Sequence, residues 1–178
     1  ALEVGVMEPN AFTLATVGVD GTPSARVLLL KGVDESGFVF YTNYQSEKGK
    51  NLDVNPVGSM VFLWLELERQ VRINGTVTKV SREESALYFH SRPRESQIGA
   101  WVSQQSQTIP SREILETNLL LQQKKFKDTE IIPLPEFWGG YRLQPLNIEF
   151  WQGRPNRLHD RILFTLKESA WKMERLSP

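Results

Sequence analysis

Phe12-Thr-Leu-Ala-Thr-Val-Gly-Val19 runs into Asp20-Gly21 and then into Ser24-Ala-Arg-Val-Leu-Leu-Leu-Lys31. Apolar and β-branched residues on both sides of an Asp-Gly pair signal an antiparallel hairpin, because Gly supplies the positive φ that a tight turn needs. The pattern recurs downstream. A turn through Asp34-Glu-Ser-Gly37 precedes a strand over Phe38 to Thr42, and two longer strands are expected over Ser59 to Leu65 and Gln70 to Val80. Strands of this spacing, joined by short turns, predict a small barrel or sandwich.

Helices interrupt the strands. Ser46 can cap a short helix that stops before Asn55-Pro56, since the residue before proline avoids the helical region. Ser81-Arg-Glu-Glu84 reads as a capping box, and Pro93 should end the helix that follows. Apolar residues recurring from Ile114 to Phe126 predict an amphipathic helix, and Asp128 to Pro135 a proline-bearing loop. Strands return over Tyr141 to Leu146, Ile148 to Trp151, Ile162 to Leu166 and Trp171 to Arg175. The fold class expected is mainly β with peripheral helices (α+β), in a single domain over residues 1–178.

Composition removes several functions. The chain has 178 residues, with 21 basic and 21 acidic side chains and no cysteine. A net charge of zero argues against a general nucleic-acid binder, whose affinity comes from excess Lys and Arg. Without cysteine there is no disulfide frame, thiolate nucleophile or Cys-based zinc site. The longest apolar run, Met60 to Leu65, is far short of the ~20 residues of a membrane helix. The N-terminus lacks the basic start and apolar stretch of a signal peptide, and it lacks an initiator Met. The expectation is a soluble, intracellular (cytoplasmic) protein that has lost an upstream segment. Neither common nucleotide loop, no H-E-x-x-H and no G-x-S-x-G is present, so no metal is expected and serine hydrolysis has no support.

Short cationic clusters stand out against this neutral background. In Arg157-Leu-His-Asp-Arg161, an extended chain would put Arg157, His159 and Arg161 on one face, where they repel unless an anion sits among them. A solvated strand edge is the alternative. Trp151, in Glu149-Phe-Trp-Gln-Gly153, could flank a planar ligand or simply fill the core. Arg26 and Lys31 bracket an apolar run, but a spacing of five sets them on opposite faces of an ideal strand. His90-Ser-Arg-Pro-Arg-Glu-Ser96 offers guanidinium and hydroxyl donors suited to phosphate, or else cations at the carbonyl end of a helix.

Together these segments resemble pyridoxine (pyridoxamine) 5′-phosphate oxidase. Arg26-Val-Leu-Leu-Leu-Lys31, Phe40-Tyr-Thr-Asn43, Glu68-Arg-Gln-Val71, Tyr88-Phe-His-Ser-Arg-Pro-Arg-Glu-Ser-Gln-Ile-Gly99, Phe137-Trp-Gly-Gly140, Glu149-Phe-Trp-Gln-Gly153 and Arg157-Leu-His-Asp-Arg161 occur in the family's order, and Glu174-Arg-Leu-Ser-Pro178 resembles its ending. The cluster at 157–161 carries most weight, because many other flavin-binding split barrels lack it.

The resemblance implies a homodimer of FMN-binding split β-barrels with the flavin at the interface. The implied reaction oxidises pyridoxine or pyridoxamine 5′-phosphate to pyridoxal 5′-phosphate. Hydride passes from the 4′-carbon to the flavin, and dioxygen takes the electrons to give hydrogen peroxide; the amine also releases ammonia. By the same resemblance, Arg26, Val27, Leu28, Leu29, Leu30, Tyr41, Thr42, Lys48, Gln70, Gln105, Ser106, Trp151 and Arg161 contact FMN. Lys31, Tyr88, Arg92 and Ser96 hold the substrate phosphate, while Arg157 and His159 flank the pyridine ring as the catalytic pair. Two phosphates would explain why a neutral protein concentrates its cations. The rivals are a flavin reductase of the same fold and a carrier that stores flavin or pyridoxal phosphate without turnover.

One residue departs from the family. Where relatives usually carry Arg-Lys after the serine, this chain has Glu47-Lys48. A carboxylate beside a phosphate site weakens anion binding, and salt screens the effect. Glu47→Arg is expected to tighten FMN binding several-fold at low salt, with the gain shrinking as salt rises. Titration of apo-protein with FMN at two ionic strengths checks this; equal affinity at low salt would mean that Glu47 exerts no repulsion.

Overall fold

In β1 (Ala11–Val17) the side chains of Phe12, Leu14 and Thr16 are buried while their neighbours are half-exposed, the period-two alternation of a strand with one face on a core. β1 pairs antiparallel with β2 (Pro23–Leu29), Leu14 opposite Arg26. The connection begins earlier than expected and runs from Gly18 to Thr22. The Asp20 side chain accepts from the backbone N–H and the hydroxyl of Thr22, the backbone N–H of Gly18 donates to the Thr22 carbonyl, and Gly21 takes φ 81°. An Asx turn therefore ends the strand at Val17 rather than Val19.

The structure, a computed structural model, describes residues 2–178, the side chain of Leu2 excepted. The remaining strands are β3 (Gly32–Asp34), β4 (Gly37–Asn43), β5 (Val57–Trp64), β6 (Arg69–Lys79), β7 (Trp138–Gln152), β8 (Asp160–Lys167) and β9 (Ala170–Arg175); the helices are α1 (Glu47–Val54), α2 (Arg82–Ser91), α3 (Arg94–Val102) and α4 (Arg112–Lys125). Strands pair in the order β2-β1-β5-β6-β7-β4-β3, and β8 and β9 extend from β7.

The chain forms two compact units. The first holds Ala1–Phe40, Asn51–Thr78 and Arg142–Pro178; the second holds Tyr41–Lys50 and Lys79–Tyr141. The first is built on strands, with Phe12, Leu14, Phe40, Met60, Phe62, Ile73 and Leu143 at its core. Phe12 meets Phe40 edge-on at a centroid distance of 5.9 Å and Phe62 at 5.4 Å. The second is mainly helical. Phe89, Ile98, Phe126, Ile132 and Trp138 form its buried cluster. Among the described residues no helix is long and apolar enough to cross a membrane.

Local chemistry explains most boundaries. The Ser46 hydroxyl accepts from the backbone N–H of Gly49, the cap expected for α1. Ser81 likewise accepts from the N–H of Glu84 at the start of α2. Three elements differ from expectation. α2 ends at Ser91, before Pro93, as expected, but a helix that was not expected, α3, begins immediately after Pro93, which sits at its N-cap. β7 is one strand of 15 residues where two were expected. The polar residue at the supposed gap, Asn147, accepts a hydrogen bond from Asn74 of β6 at 2.9 Å and so stays in the sheet. Finally, Pro155–Arg157 is a short 3-10 turn, with Asn156 and Arg157 in the left-handed region at φ 58° and 61°.

Backbones approach closely where β6 meets β7. A Cβ on Gly75 would lie 2.0 Å from the carbonyl oxygen of Gln144. No side chain can occupy that space unless the strands separate. Gly75→Ala should destabilise the protein by at least ~2 kcal/mol and lower its midpoint of thermal unfolding by roughly 4–8 °C. Calorimetry of the two proteins checks this, and an unchanged midpoint would contradict so close an approach.

Candidate functional site

Burying an amine costs several kcal/mol unless oxygens replace the lost water. Lys48, in the first turn of α1, is 5% exposed. Its Nζ donates to Thr42 Oγ1 at 3.3 Å, Ser46 Oγ at 3.3 Å and Gln105 Oε1 at 3.0 Å, and the Thr42 hydroxyl donates to the same Gln105 oxygen. Three of the expected flavin contacts, Thr42, Lys48 and Gln105, are thus joined by hydrogen bonds. Gln105 also lines a cleft of 390 Å³ with Asn43, Gln45, Trp101, Ser103 and Phe137. Ser106 beside it is exposed, with a left-handed backbone at φ 70°. Glu47 is exposed while Lys48 is buried, and a carboxylate in the first turn suits the positive end of a helix. That orientation places the expected gain from Glu47→Arg at the low end.

The second unit also holds the expected phosphate residues Tyr88, Arg92 and Ser96, all half-buried at the α2–α3 junction. The Arg92 guanidinium lies 4.8 Å from the centroid of Trp138 and 5.7 Å from that of Phe89. Its NH1 atom is buried and has no hydrogen-bond partner. Desolvation lowers the pKa of this group, opposed by the neighbouring Tyr88. The other arginine of the segment does something else: Arg94 donates to the carbonyls of Phe126 and Thr129 and ties down the end of α4.

In the first unit Arg26 donates to Thr16 Oγ1 at 2.8 Å, Ser24 Oγ at 2.6 Å and the carbonyl of Leu14. Asn51 donates to both hydroxyls as well. Val27 is 68% exposed, Leu28, Leu29 and Leu30 are half-buried, and Lys31 is exposed beyond the end of β2. Gln70 and Trp151 line one cleft of 380 Å³ together with Trp64, Val71, Phe150 and Ile162.

The cluster at 157–161 is not extended as expected. The left-handed turn removes Arg157 from any strand face, and β8 starts only at Asp160. Arg161, Asp160 and His159 each have their own partners. Arg161 Nε donates to Glu149 Oε1 at 2.7 Å, and Arg161 NH1 to the carbonyl of Ser177 at 3.0 Å. Asp160 accepts from Arg154 Nε at 2.8 Å and from Arg175 NH1 at 2.6 Å, and these bonds hold its carboxyl below the usual range. His159 Nδ1 accepts from the backbone N–H of Arg154, while its ring lies 4.6 Å from that of Trp151. Cation repulsion on one strand face is therefore not what organises this segment.

Residues 1–120 match the family profile described as pyridoxamine 5′-phosphate oxidase, and residues 138–178 match the pyridoxine 5′-phosphate oxidase C-terminal dimerisation region. The chain belongs to the pyridoxamine 5′-phosphate oxidase family. It is 58% identical over 179 residues to the pyridoxine/pyridoxamine 5′-phosphate oxidase of Gloeothece citriformis, covering 100% of this chain and 83% of the relative. Against the enzyme of the same name from Cyanothece sp. the identity is 54% over 178 residues, with the same coverage. PhzG from Burkholderia lata 383, crystallised with tetrahydrophenazine-1-carboxylic acid, is similar at a TM-score of 0.93 and 30% identity, covering 100% of this chain and 87% of PhzG. A pyridoxamine 5′-phosphate oxidase-related, FMN-binding protein from Nostoc punctiforme gives a TM-score of 0.79 at 17% identity, covering 98% and 91%. The fold is the FMN-binding split β-barrel, and membership of the oxidase family makes the chain an oxidoreductase.

Sequence reasoning missed Glu149 as a partner of Arg161. The quoted Glu149-Phe-Trp-Gln-Gly153 contained the signal, a carboxylate two residues before Trp151, the residue that pairs with Arg161 across β7 and β8. Glu149 is 7% exposed and also accepts from Arg72 NH1 at 3.3 Å. The bond from Arg161 holds the Glu149 carboxyl below its ordinary value. A carboxyl with a lowered folded pKa stabilises the native state above its unfolded value, and that contribution is lost as pH falls through the folded one. Glu149→Gln should cost about 1–2 kcal/mol at neutral pH, and the gap between the two proteins should narrow below roughly pH 4. Urea unfolding at both pH values measures it; a gap independent of pH would mean that the native pair is not ionic.

Proposed function

We propose that the chain is an FMN-dependent oxidase of pyridoxine 5′-phosphate and pyridoxamine 5′-phosphate. Pyridoxine 5′-phosphate and dioxygen give pyridoxal 5′-phosphate and hydrogen peroxide; the amine with dioxygen and water gives the same products and ammonia. The observation that carries the substrate class is Arg92, a half-buried guanidinium with an unpartnered buried donor. A phosphate there would supply both the missing acceptor and the countercharge.

The residues fit FMN, which needs donors for a phosphate and walls for a flat ring. Lys48, Thr42 and Gln105 supply preorganised polar groups in the second unit, and Arg26 and Arg161 are guanidiniums already oriented by hydrogen bonds in the first. Trp151, Val71 and Phe150 wall a cleft that also presents the Gln70 amide. The chemistry that FMN supplies when bound is uptake of hydride from the 4′-carbon and delivery of the electron pair to dioxygen.

The chain's own work is to bind and orient. Arg92, Tyr88, Ser96 and Lys31 take the substrate phosphate, and Arg157 and His159 set the pyridine ring. With Nδ1 accepting from the Arg154 N–H, a neutral His159 carries its proton on Nε2, where it can donate but not accept. His159 in this form positions the ring. Two successive non-glycine residues in the left-handed region cost about 1–3 kcal/mol each, a strain that supports a functional role for the loop bearing Arg157. We also propose a homodimer with FMN at its interface. The matched dimerisation region exposes Phe150 at 47%, Leu158 at 69%, Trp171 at 45% and Met173 at 64%, apolar surface suited to a second copy.

Purified protein should be yellow and should bleach when pyridoxine 5′-phosphate is added without oxygen. Arg92→Ala should stay yellow while its KM for that substrate rises about ten- to hundred-fold, the effect of losing a charge-assisted hydrogen bond. Arg26→Ala should lose FMN instead. A yellow protein that does not bleach is a carrier, and exchanged phenotypes would invert the two phosphate sites. If reduced phenazine carboxylates bleach it and pyridoxine 5′-phosphate does not, the substrate resembles the ligand of PhzG.

A further inference from the structure

The ring planes of Tyr41, Tyr88 and Trp138 are nearly parallel. Tyr41 and Tyr88 stack at 4.0 Å and 20°, Tyr41 and Trp138 lie 5.6 Å apart at 12°, and Tyr88 and Trp138 6.2 Å apart at 8°. Phe89 closes on Trp138 edge-on at 5.3 Å. The backbone of Trp138 is fixed as well, because Arg82 donates to the carbonyls of Trp138 and Pro135. Trp138 is 7% exposed. On this buried indole rests the guanidinium of Arg92, 4.8 Å from the ring centroid.

We propose that Trp138 is a positioning residue for the substrate phosphate: its indole holds the Arg92 guanidinium in one orientation and leaves the unpartnered edge for the phosphate. The inference rests on the reading of Arg92 as a phosphate ligand. A half-buried arginine is usually oriented by a carboxylate, which would neutralise it and compete with an incoming anion. No ion pair to Arg92 occurs among the described residues. An aromatic face orients the same group and leaves its charge intact, since the attraction comes from the ring quadrupole. A planar guanidinium stacks where a lysine ammonium would not. Desolvation of Arg92, which lowers its pKa, supplies the drive to recruit a countercharge.

The test compares Trp138→Leu, Arg92→Ala and the double variant as FMN-loaded proteins. Two quantities are read: the KM for pyridoxine 5′-phosphate and the competitive inhibition constant of inorganic phosphate. Trp138→Leu should raise both roughly three- to thirty-fold, the worth of a partly desolvated cation–π contact, and should move kcat far less. In the Arg92→Ala background the same substitution should add little, because its partner is gone. A purely structural role would instead lower flavin retention and kcat together, with additive effects on KM. Should Trp138→Leu fail to fold, Trp138→Phe keeps a smaller aromatic face and should show the same non-additive rise at about three-fold. Unchanged phosphate inhibition in the folded Trp138 variants, or additivity with Arg92→Ala, overturns the proposal. An Arg92→Ala protein with unchanged KM and phosphate inhibition would sink the reading of Arg92 itself, so the two failures are distinguishable.

Discussion

A cation removed from water must be given oxygens, a countercharge or a polarisable face, and the geometry of the candidate site follows from which of these each cation receives. Lys48 receives the oxygens of Thr42, Ser46 and Gln105. Arg26 receives those of Thr16, Ser24 and Leu14. Arg161 receives the buried carboxylate of Glu149, and Arg92 the face of Trp138. These solutions differ in what they leave for a ligand. Neutral oxygens and an aromatic face keep the positive charge undiminished, whereas a carboxylate cancels much of it and fixes the remaining N–H groups in direction. Glu149 engages one nitrogen of Arg161 and the Ser177 carbonyl another, so the guanidinium is aimed even though its charge is balanced.

Much of the fold was legible because strands and caps are written locally. The alternation Phe12, Leu14, Thr16 and the hydroxyls of Ser46 and Ser81 act over a few residues, and each sits where the pattern placed it. Errors arose where a distant partner decided the outcome. Asn147 looked like a break until Asn74 is seen to satisfy it. Pro93 marks the end of α2 as expected, but no helix was expected directly after it; α3 starts there and buries Ile98. The early end of β1 has a local cause instead: Asp20 accepts from the N–H of Thr22, a bond that Asp-Gly alone does not specify.

The candidate site divides along the same line. The candidate residues themselves came from the family resemblance of their motifs, whose residue types suit phosphate and a flat ring. Their geometry could not be read in that way. Strand alternation predicted a shared face for Arg157, His159 and Arg161, but Arg157 itself is left-handed at the end of a 3-10 turn and β8 begins only at Asp160. The carboxylates that matter, Glu149 and Asp160, lie within the quoted motifs, yet nothing in their spacing tells which guanidinium each one holds. Trp138 is likewise part of a quoted motif. Its relation to Arg92 depends on the packing of β7 against α2, and no local pattern carries that information.

On the proposed function, a neutral chain has to select dianionic ligands. With 21 basic and 21 acidic side chains there is no long-range field to draw anions in. Affinity must then come from donors held in place before the ligand arrives, since immobilising a free arginine on binding costs about 0.5–1.5 kcal/mol per side chain. In the segment 154–161 that cost is met during folding: Asp160 fixes Arg154 and Arg175, and the Arg154 N–H in turn fixes the ring of His159. Asp160 is therefore more than a counter-ion within a basic cluster. Replacing it with a neutral residue would raise the local charge and yet loosen the groups that carry it. Here orientation, more than the number of cations, is what the sequence of the loop secures.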